Sequence, residues 1–114
     1  MKTYPFSALF SRMKYITRWS LMRSTRAESL SEHTADTAML AHTLCLIGKS
    51  CTGTGAALRP EVVATAALYH DAPEILTGDM PTPIKYDNPT IQSAYKEVEA
   101  VAEQKLLNML PEDL

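Results

Sequence analysis

The sequence predicts an all-α fold, and three observations lead to that prediction. Apolar residues recur at helical spacing in several segments, and residues that start helices precede those segments. No segment alternates polar and apolar residues for long enough to predict a strand. The chain has 114 residues, of which 46% are hydrophobic and 21% charged. This length and composition are typical of one globular domain with a buried core.

The first two helices are predicted from periodicity and from a cap. Apolar side chains at helical spacing place the first helix over residues 6–16. The segment TRWSLMRSTRAE follows without a period and is predicted to be a loop. Ser29–Glu32 has the pattern of a capping box, which opens a second helix running to about Lys49. The segment GKSCTGTGAALR is then predicted to be a turn and a loop.

A third helix and a short helical turn follow. Pro60 suits the first position of a helix that runs to about His70. Pro73 and Gly78 confine the segment APEILT to a short helix or turn.

Asn88 and Pro89 predict the cap and first residue of a fourth, long helix, which Pro111 ends. Its predicted buried stripe consists of Ile91, Tyr95, Val98, Ala102 and Leu106.

The second helix is apolar on two opposite faces, which predicts a central core helix. One face carries Ala35, Ala38, Met39, His42 and Leu46, and the other carries Thr37, Leu40, Leu44 and Ile47. His33 and His42 are nine residues apart, about half a turn out of phase, so they do not easily serve one metal ion. One of them is expected to be a ligand and the other a packed core histidine.

The segment LYHDAPEILTGDMPTP places His70, Asp71, Glu74 and Asp79 within ten residues. A histidine and an aspartate at the end of a helix can reach one point and offer a nitrogen and an oxygen ligand. A histidine from a neighbouring helix would supply a third ligand, and such a set suits Mn, Fe, Co, Ni or Zn. The alternative is a surface pair at a helix end, with Glu74 as a favourable acid of a first helical turn.

Two segments carry a family resemblance. SEHTADTAMLAHTL and ALYHDAPEILTGDMPTPIKY together resemble the HD-domain phosphohydrolase superfamily, and most closely the bacterial 5'-deoxynucleotidases of the YfbR type. FSRMKYITRW and LMRSTRAESLSEH are also similar to that family. The resemblance implies an HD-domain-like helical bundle. It also implies that residues 1–114 are the N-terminal part of an HD-domain metal-dependent phosphohydrolase, truncated at the C-terminus.

The resemblance implies a metal site. Its ligands would be His33, His70, Asp71 and a fourth, later aspartate, while His42 would be a core residue. The acids that follow Asp79 do not lie in the motif expected for that fourth ligand. The implied cofactor is a divalent ion, namely Co, Mn, Zn, Ni or Fe.

The resemblance also implies a substrate, a 2'-deoxynucleoside 5'-monophosphate, which would yield a deoxynucleoside and phosphate. Arg18 would bind the phosphate and Trp19 would pack the sugar. Glu74 would orient or deprotonate the attacking water, and Asp79 would protonate the leaving 5'-oxygen or hold the water. The catalytic residues would therefore be Arg18, Glu74 and Asp79. The substrate-binding residues would be Arg18, Trp19, His33, Asp71, Asp79, Met80, Pro81 and Thr82.

Two other functions remain open at this point. One is another HD-type phosphohydrolase, such as a phosphodiesterase or a guanosine-tetraphosphate hydrolase. The other is a non-catalytic, truncated helical interaction module whose apolar groove is filled by self-association. The chain itself is expected to form a homodimer. The formal net charge is −2 and no basic block stands out, so no nucleic-acid polymer and no membrane partner is expected. Two cysteines without a metal-binding spacing and no signal peptide predict the cytoplasm.

Overall fold

Helices make up the regular structure of this protein. A computed structural model describes residues 3–19, 26–53, 57–78 and 88–114. The helical elements, in chain order, are α1 (Phe6–Phe10), a 3₁₀ segment (Ser11–Tyr15), α2 (Leu30–Ile47), a π-helical turn (Gly48–Thr52), α3 (Pro60–Tyr69), α4 (Glu74–Thr77) and α5 (Pro89–Leu107). Extended pairing in the described residues is limited to one isolated antiparallel bridge between Thr17 and Ser29. The predicted all-α fold is therefore confirmed.

No helix among the described residues is both long enough and apolar enough to cross a lipid bilayer.

The chain divides into two units. The first consists of Met1–Leu30 together with Ala72–Leu114, and the second is Ser31–Asp71. The first unit therefore holds α1, the 3₁₀ segment, α4 and α5. The second holds nearly all of α2 and the whole of α3.

Leu30 is the centre of the core of the first unit. Its side chain is fully buried and packs with Met13 and Ile75. Three partly buried side chains pack against this cluster, namely Leu9, Phe10 and Ile16. The backbone N–H of Leu30 also donates to the Ile16 carbonyl at 2.7 Å. The first residue of α2 is thus held both by apolar packing and by a hydrogen bond.

The first predicted helix changes type midway. It was expected to be one helix over residues 6–16, but α1 ends at Phe10 and a 3₁₀ segment continues to Tyr15. The Ser11 hydroxyl donates to the Ala8 carbonyl at 2.7 Å where the type changes. A side chain that bonds to the backbone in this way competes with the regular helical ladder.

The start of α5 agrees with the prediction. The Asn88 side chain accepts a hydrogen bond from the Ile91 N–H at 2.9 Å, and Pro89 occupies the first helical position. Its end does not agree, because α5 stops at Leu107 rather than continuing to Pro111. Asn108 forms the C-cap there.

The predicted stripe of α5 is only partly buried. Its buried members are Tyr95, Ala102 and Leu106. Val98 is instead half-exposed, and it lines an open apolar groove with Leu76 of α4 and Val101.

Two glycines end helical segments with left-handed backbone angles. Gly53 has a φ of 66° and follows the π-helical turn, so the segment predicted as turn and loop in fact begins with helical structure. Gly78 has a φ of 76° and ends α4 directly after Thr77. Glycine adopts such angles without the strain that a Cβ atom would add. Pro73 and Gly78 therefore limit α4 to one turn, as predicted.

The prediction that α2 is a central core helix is wrong for the described chain. Its buried residues within the second unit are small or polar, namely Thr34, Ala38 and Cys45. Five large side chains on the two opposite faces of α2 are exposed, and we call them together the α2 apolar surface: Met39, Leu40, Leu44, Leu46 and Ile47. Within the described residues of 31–71, the ten-residue α3 is the only α-helix besides the 18-residue α2, which a π-helical turn extends. One short helix cannot cover two opposite faces of a longer one.

Leu30→Ala is expected to lower the free energy of unfolding by about 2–5 kcal/mol, because it removes a fully buried side chain and leaves a cavity. Leu107→Ala is the matched control, since Leu107 is 59% exposed on α5. Urea unfolding followed by circular dichroism measures both variants. Equal losses of stability in the two variants would contradict the central place given to Leu30.

Candidate metal centre

Two helices of the second unit bring three predicted side chains together. His33 lies in the first turn of α2, while His70 and Asp71 directly follow the end of α3 at Tyr69. One candidate ligand atom from each of these side chains lies within 4.8 Å of the other two. The group of two histidines and one aspartate can therefore hold a metal ion.

The two imidazoles converge on a single carboxylate oxygen. Asp71 Oδ2 lies 3.3 Å from His33 Nε2 and 3.0 Å from His70 Nε2. The two rings meet edge to face, with their centroids 5.2 Å apart. His33 and Asp71 are partly buried, and His70 is exposed. The cluster is therefore shielded on one side and accessible on the other.

The end of α3 determines which nitrogen of His70 faces Asp71. His70 Nδ1 lies 2.6 Å from the Ala67 carbonyl, and a carbonyl only accepts, so Nδ1 carries the hydrogen and donates it. Ala67 is among the last residues of α3, where helix carbonyls lack a partner within the helix. Nε2 of the neutral ring is consequently left with a lone pair, directed at Asp71. Hydrogen bonding of the second imidazole nitrogen is typical of metal-binding histidines.

This arrangement fits a cation. A lone pair on His70 Nε2 at 3.0 Å from a carboxylate oxygen is repulsive unless a positive charge balances the two groups. A divalent metal ion would supply that charge. Two imidazole nitrogens and one carboxylate oxygen are suitable ligands for the borderline divalent ions. His33 Nδ1 lies 3.5 Å from the Thr37 hydroxyl, at the outer limit of a hydrogen bond.

His42 does not belong to this cluster. It is exposed on α2, so the expectation that it is a packed core histidine is wrong. It lines an open, mainly apolar groove of the second unit, whose other residues are Ala35, Ala38, Met39, Thr43, Ala64 and Leu68. The expectation fails because the groove between α2 and α3 stays open at this position and leaves His42 exposed.

Arg18 and Trp19 lie in the first unit and contact each other. The Arg18 guanidinium carbon is 5.4 Å from the centre of the Trp19 ring, within the range of a cation–π interaction. Arg18 Nη1 also donates to Glu28 Oε2 at 3.1 Å. Trp19 has a φ of 60°, which is uncommon for a bulky residue. Such a backbone persists where the surrounding structure holds it, and it often marks a functional segment.

Sequence reasoning missed Glu28. The residue is ten positions from Arg18, in a segment predicted only as a loop, and no local spacing pairs the two side chains. The one available signal was the acidic residue just before the predicted capping box at Ser29. The pairing itself depends on the bridge between Thr17 and Ser29, which is a tertiary feature.

The remaining predicted residues fall into two groups. Glu74 is buried at the start of α4, next to the core residue Ile75. Asp79, Met80, Pro81 and Thr82 lie outside the described residues.

Comparison with curated proteins finds long, similar stretches in bacterial enzymes. A 5'-deoxynucleotidase from Vibrio parahaemolyticus is 54% identical over 114 residues, which cover 99% of this chain and 57% of that protein. One from Vibrio cholerae is 52% identical over 115 residues, covering 100% of this chain and 58% of the relative. One from Erwinia tasmaniensis is 52% identical over 109 residues, covering 96% and 54%. The chain thus spans somewhat more than half the length of these relatives.

A family model described as 5'-deoxynucleotidase YfbR-like matches residues 5–114. The matched range includes the segment with Arg18 and the whole second unit, with His33, His70 and Asp71. The family resemblance inferred from the SEH and YHD segments is confirmed by this match and by the identity to the relatives. The chain belongs to the YfbR-like 5'-deoxynucleotidase family.

Proposed function

We propose that the protein is a metal-dependent 5'-deoxynucleotidase, which hydrolyses 2'-deoxynucleoside 5'-monophosphates to a deoxynucleoside and phosphate. The observation that carries the proposal is the cluster of His33, His70 and Asp71 in a member of this family. The matched relatives are named 5'-deoxynucleotidases. The proposal concerns the whole protein, because the chain spans 57% of the length of the Vibrio parahaemolyticus relative. The cytoplasmic location stays a prediction from the sequence.

In this proposal His33, His70 and Asp71 hold a divalent ion, namely Co, Mn, Zn, Ni or Fe. Such an ion, when bound, lowers the pKa of a coordinated water and neutralises charge on phosphoryl oxygens. The exposure of His70 is consistent with access for a phosphate group. His33 and Asp71 would then also contact the substrate.

In this proposal Arg18 and Trp19 recognise the substrate. A guanidinium donates two parallel hydrogen bonds to a phosphate, which a lysine ammonium cannot reproduce. The Trp19 indole offers a flat wall that packs the deoxyribose and disfavours a ribose 2'-hydroxyl. The contact between the Arg18 guanidinium and the Trp19 ring supports treating the two as one recognition element.

The proton transfers are assigned to two carboxylates. Glu74 orients or deprotonates the attacking water, and its buried position at the start of α4 favours a fixed side chain. Asp79 protonates the leaving 5'-oxygen or holds the water. Met80, Pro81 and Thr82 line the nucleotide. The roles of Asp79–Thr82 rest on the family resemblance alone.

A second proposal concerns assembly, and the α2 apolar surface supports it. Burying one large aliphatic side chain contributes roughly 1.5–3 kcal/mol, so five exposed ones favour association. We propose a homodimer, the commonest closed assembly. The non-catalytic interaction module remains the alternative to an enzyme on this same observation.

The metal proposal predicts unequal effects of three histidine substitutions. His33→Ala and His70→Ala are each expected to weaken Co²⁺ binding by at least about tenfold, since each removes a ligand nitrogen. His42→Ala is the matched control, on the same helix as His33 but outside the cluster. Isothermal titration calorimetry with Co²⁺ measures all three. A loss with His42→Ala and none with His33→Ala would reverse the assignment of ligands.

The activity proposal predicts phosphate release from dAMP in the presence of Co²⁺, with much less from AMP. Arg18→Ala is expected to lower kcat/KM by about tenfold or more, because it removes a charge-assisted phosphate contact. His42→Ala again serves as the control. Assays with a phosphodiester and with guanosine tetraphosphate as substrates distinguish this activity from that of the other HD-type phosphohydrolases.

Two results would contradict parts of this activity proposal. Full turnover by Arg18→Ala would contradict the phosphate-binding role of Arg18. Equal cleavage of AMP and dAMP would contradict the role of Trp19 as a sugar wall.

The dimer proposal predicts a mass that rises with protein concentration in analytical ultracentrifugation. Leu44→Lys is expected to shift the equilibrium towards the monomer, because it places a charge within the α2 apolar surface. Leu107→Lys is the control, since Leu107 is equally exposed but lies on α5. A monomer at every concentration would contradict the proposal.

A further inference from the structure

We infer that Glu28 is a positioning residue, which holds the Arg18 guanidinium in the orientation that receives the substrate phosphate. The inference rests on the proposed function, in which Arg18 binds a phosphate monoester. It identifies the residue on which that binding depends. Glu28 Oε2 lies 3.1 Å from Arg18 Nη1, and both side chains are mostly buried, with exposures of 29% and 20%.

A second ion pair of the same protein shows why this burial matters. Arg59 Nε lies at the same distance of 3.1 Å from Glu61 Oε1, but these side chains are 73% and 66% exposed. A solvent-exposed pair of this kind is screened and rarely holds either partner in one orientation. The Arg18–Glu28 pair is shielded from water on most of its surface, so its geometry is better defined.

The backbone joins Glu28 to Arg18 independently of the side chains. The Arg18 N–H donates to the Glu28 carbonyl at 2.8 Å, next to the bridge between Thr17 and Ser29. On the far side of that bridge, the Leu30 N–H donates to the Ile16 carbonyl, and Leu30 is fully buried. The Glu28 carboxylate therefore projects from a segment that is anchored in the core of the first unit.

Trp19 and Glu28 restrict which N–H groups of the Arg18 guanidinium a ligand can reach. The Trp19 ring lies 5.4 Å from its central carbon, and Glu28 takes Nη1. Within residues 3–19, 26–53, 57–78 and 88–114, Glu28 is the only acceptor that the Arg18 side chain contacts. A guanidinium has five N–H donors, and a phosphate takes two of them in parallel. Glu28 therefore decides which N–H edge of Arg18 is presented to a dianionic phosphate monoester.

Glu28 could instead compete with the phosphate for Arg18, and this role makes the opposite prediction. A carboxylate beside Arg18 also neutralises part of its charge and competes with a phosphate for the same donors. If competition dominated, removal of Glu28 would tighten phosphate binding. If positioning dominates, removal of Glu28 weakens it.

The test uses Trp19, the one tryptophan of the chain, as a fluorescent reporter beside Arg18. The Co²⁺-loaded protein is titrated with dAMP and, separately, with inorganic phosphate. Glu28→Ala is expected to weaken dAMP binding by about tenfold, the effect of losing one charge-assisted hydrogen bond. Glu28→Gln keeps an acceptor oxygen without the charge, so an intermediate affinity is expected. Glu61→Ala, which breaks the exposed pair of equal distance, is expected to bind like the wild type.

A double-mutant cycle separates positioning from a general loss of structure. In the Arg18→Ala background, Glu28→Ala is expected to have no further effect on dAMP binding, because its action passes through Arg18. Co²⁺ affinity is expected to be unchanged in Glu28→Ala, since the predicted ligands are His33, His70 and Asp71. Additive losses in the cycle would overturn the inference.

Other outcomes also decide the question. Equal or tighter dAMP binding by Glu28→Ala overturns the inference and favours competition. If Glu28→Ala does not fold, Glu28→Gln decides alone, and a wild-type affinity in it overturns the inference. Wild-type protein that binds inorganic phosphate but neither binds nor cleaves dAMP contradicts the proposed function, while the phosphate titrations still test Glu28. Binding of neither probe overturns both.

Discussion

The approach of two imidazole nitrogens to Asp71 Oδ2 constrains the whole second unit. Asp71 Oδ2 lies 3.3 Å from His33 Nε2 and 3.0 Å from His70 Nε2, so the two helices must bring three side chains to one point. The geometry depends on α3 ending at Tyr69, because the Ala67 carbonyl there accepts from His70 Nδ1 as well as from the His70 backbone N–H, which directs Nε2 to Asp71. A helix terminus, which must satisfy its last carbonyls in some way, here orients a candidate metal ligand. The hydrogen bond that satisfies a carbonyl at the end of α3 is therefore the same bond that orients the His70 ring.

The first unit applies a similar principle to Arg18, the proposed phosphate-binding residue. Arg18 is long and flexible, and its orientation in water would vary widely. It is limited here by Glu28, by the Trp19 ring and by a backbone hydrogen bond next to the Thr17–Ser29 bridge. The bridge in turn depends on the burial of Leu30. The core of this unit thus limits the orientations of the Arg18 side chain. Trp19, whose backbone φ is positive, lies next to Arg18 in the same segment.

The α2 apolar surface shows that the described chain does not bury all its large apolar side chains. Five of them are exposed on one helix, more than scattered surface residues would explain. Their exposure follows from the length of α3, the only other α-helix described within the second unit, which has ten residues against the 18 of α2. Association with a second copy would remove this area from water and stabilise α2. The same helix carries His33, so such association would also stabilise the element on which the candidate metal centre depends.

The sequence by itself determined most of the helices and the candidate functional residues. Apolar periodicity and the Asn88–Pro89 start predicted the helices, because these are local effects of backbone sterics and capping. The SEH and YHD segments identified His33, His70 and Asp71, and the half-turn offset separated His42 from His33. Tertiary structure alone decided the rest. The pairing of Arg18 with Glu28, the exposure of His42 and of the α2 apolar surface, and the meeting of two imidazoles at Asp71 Oδ2 all depend on contacts between segments distant in the chain. Local spacing carries no information about such contacts, because packing decides which distant surfaces meet.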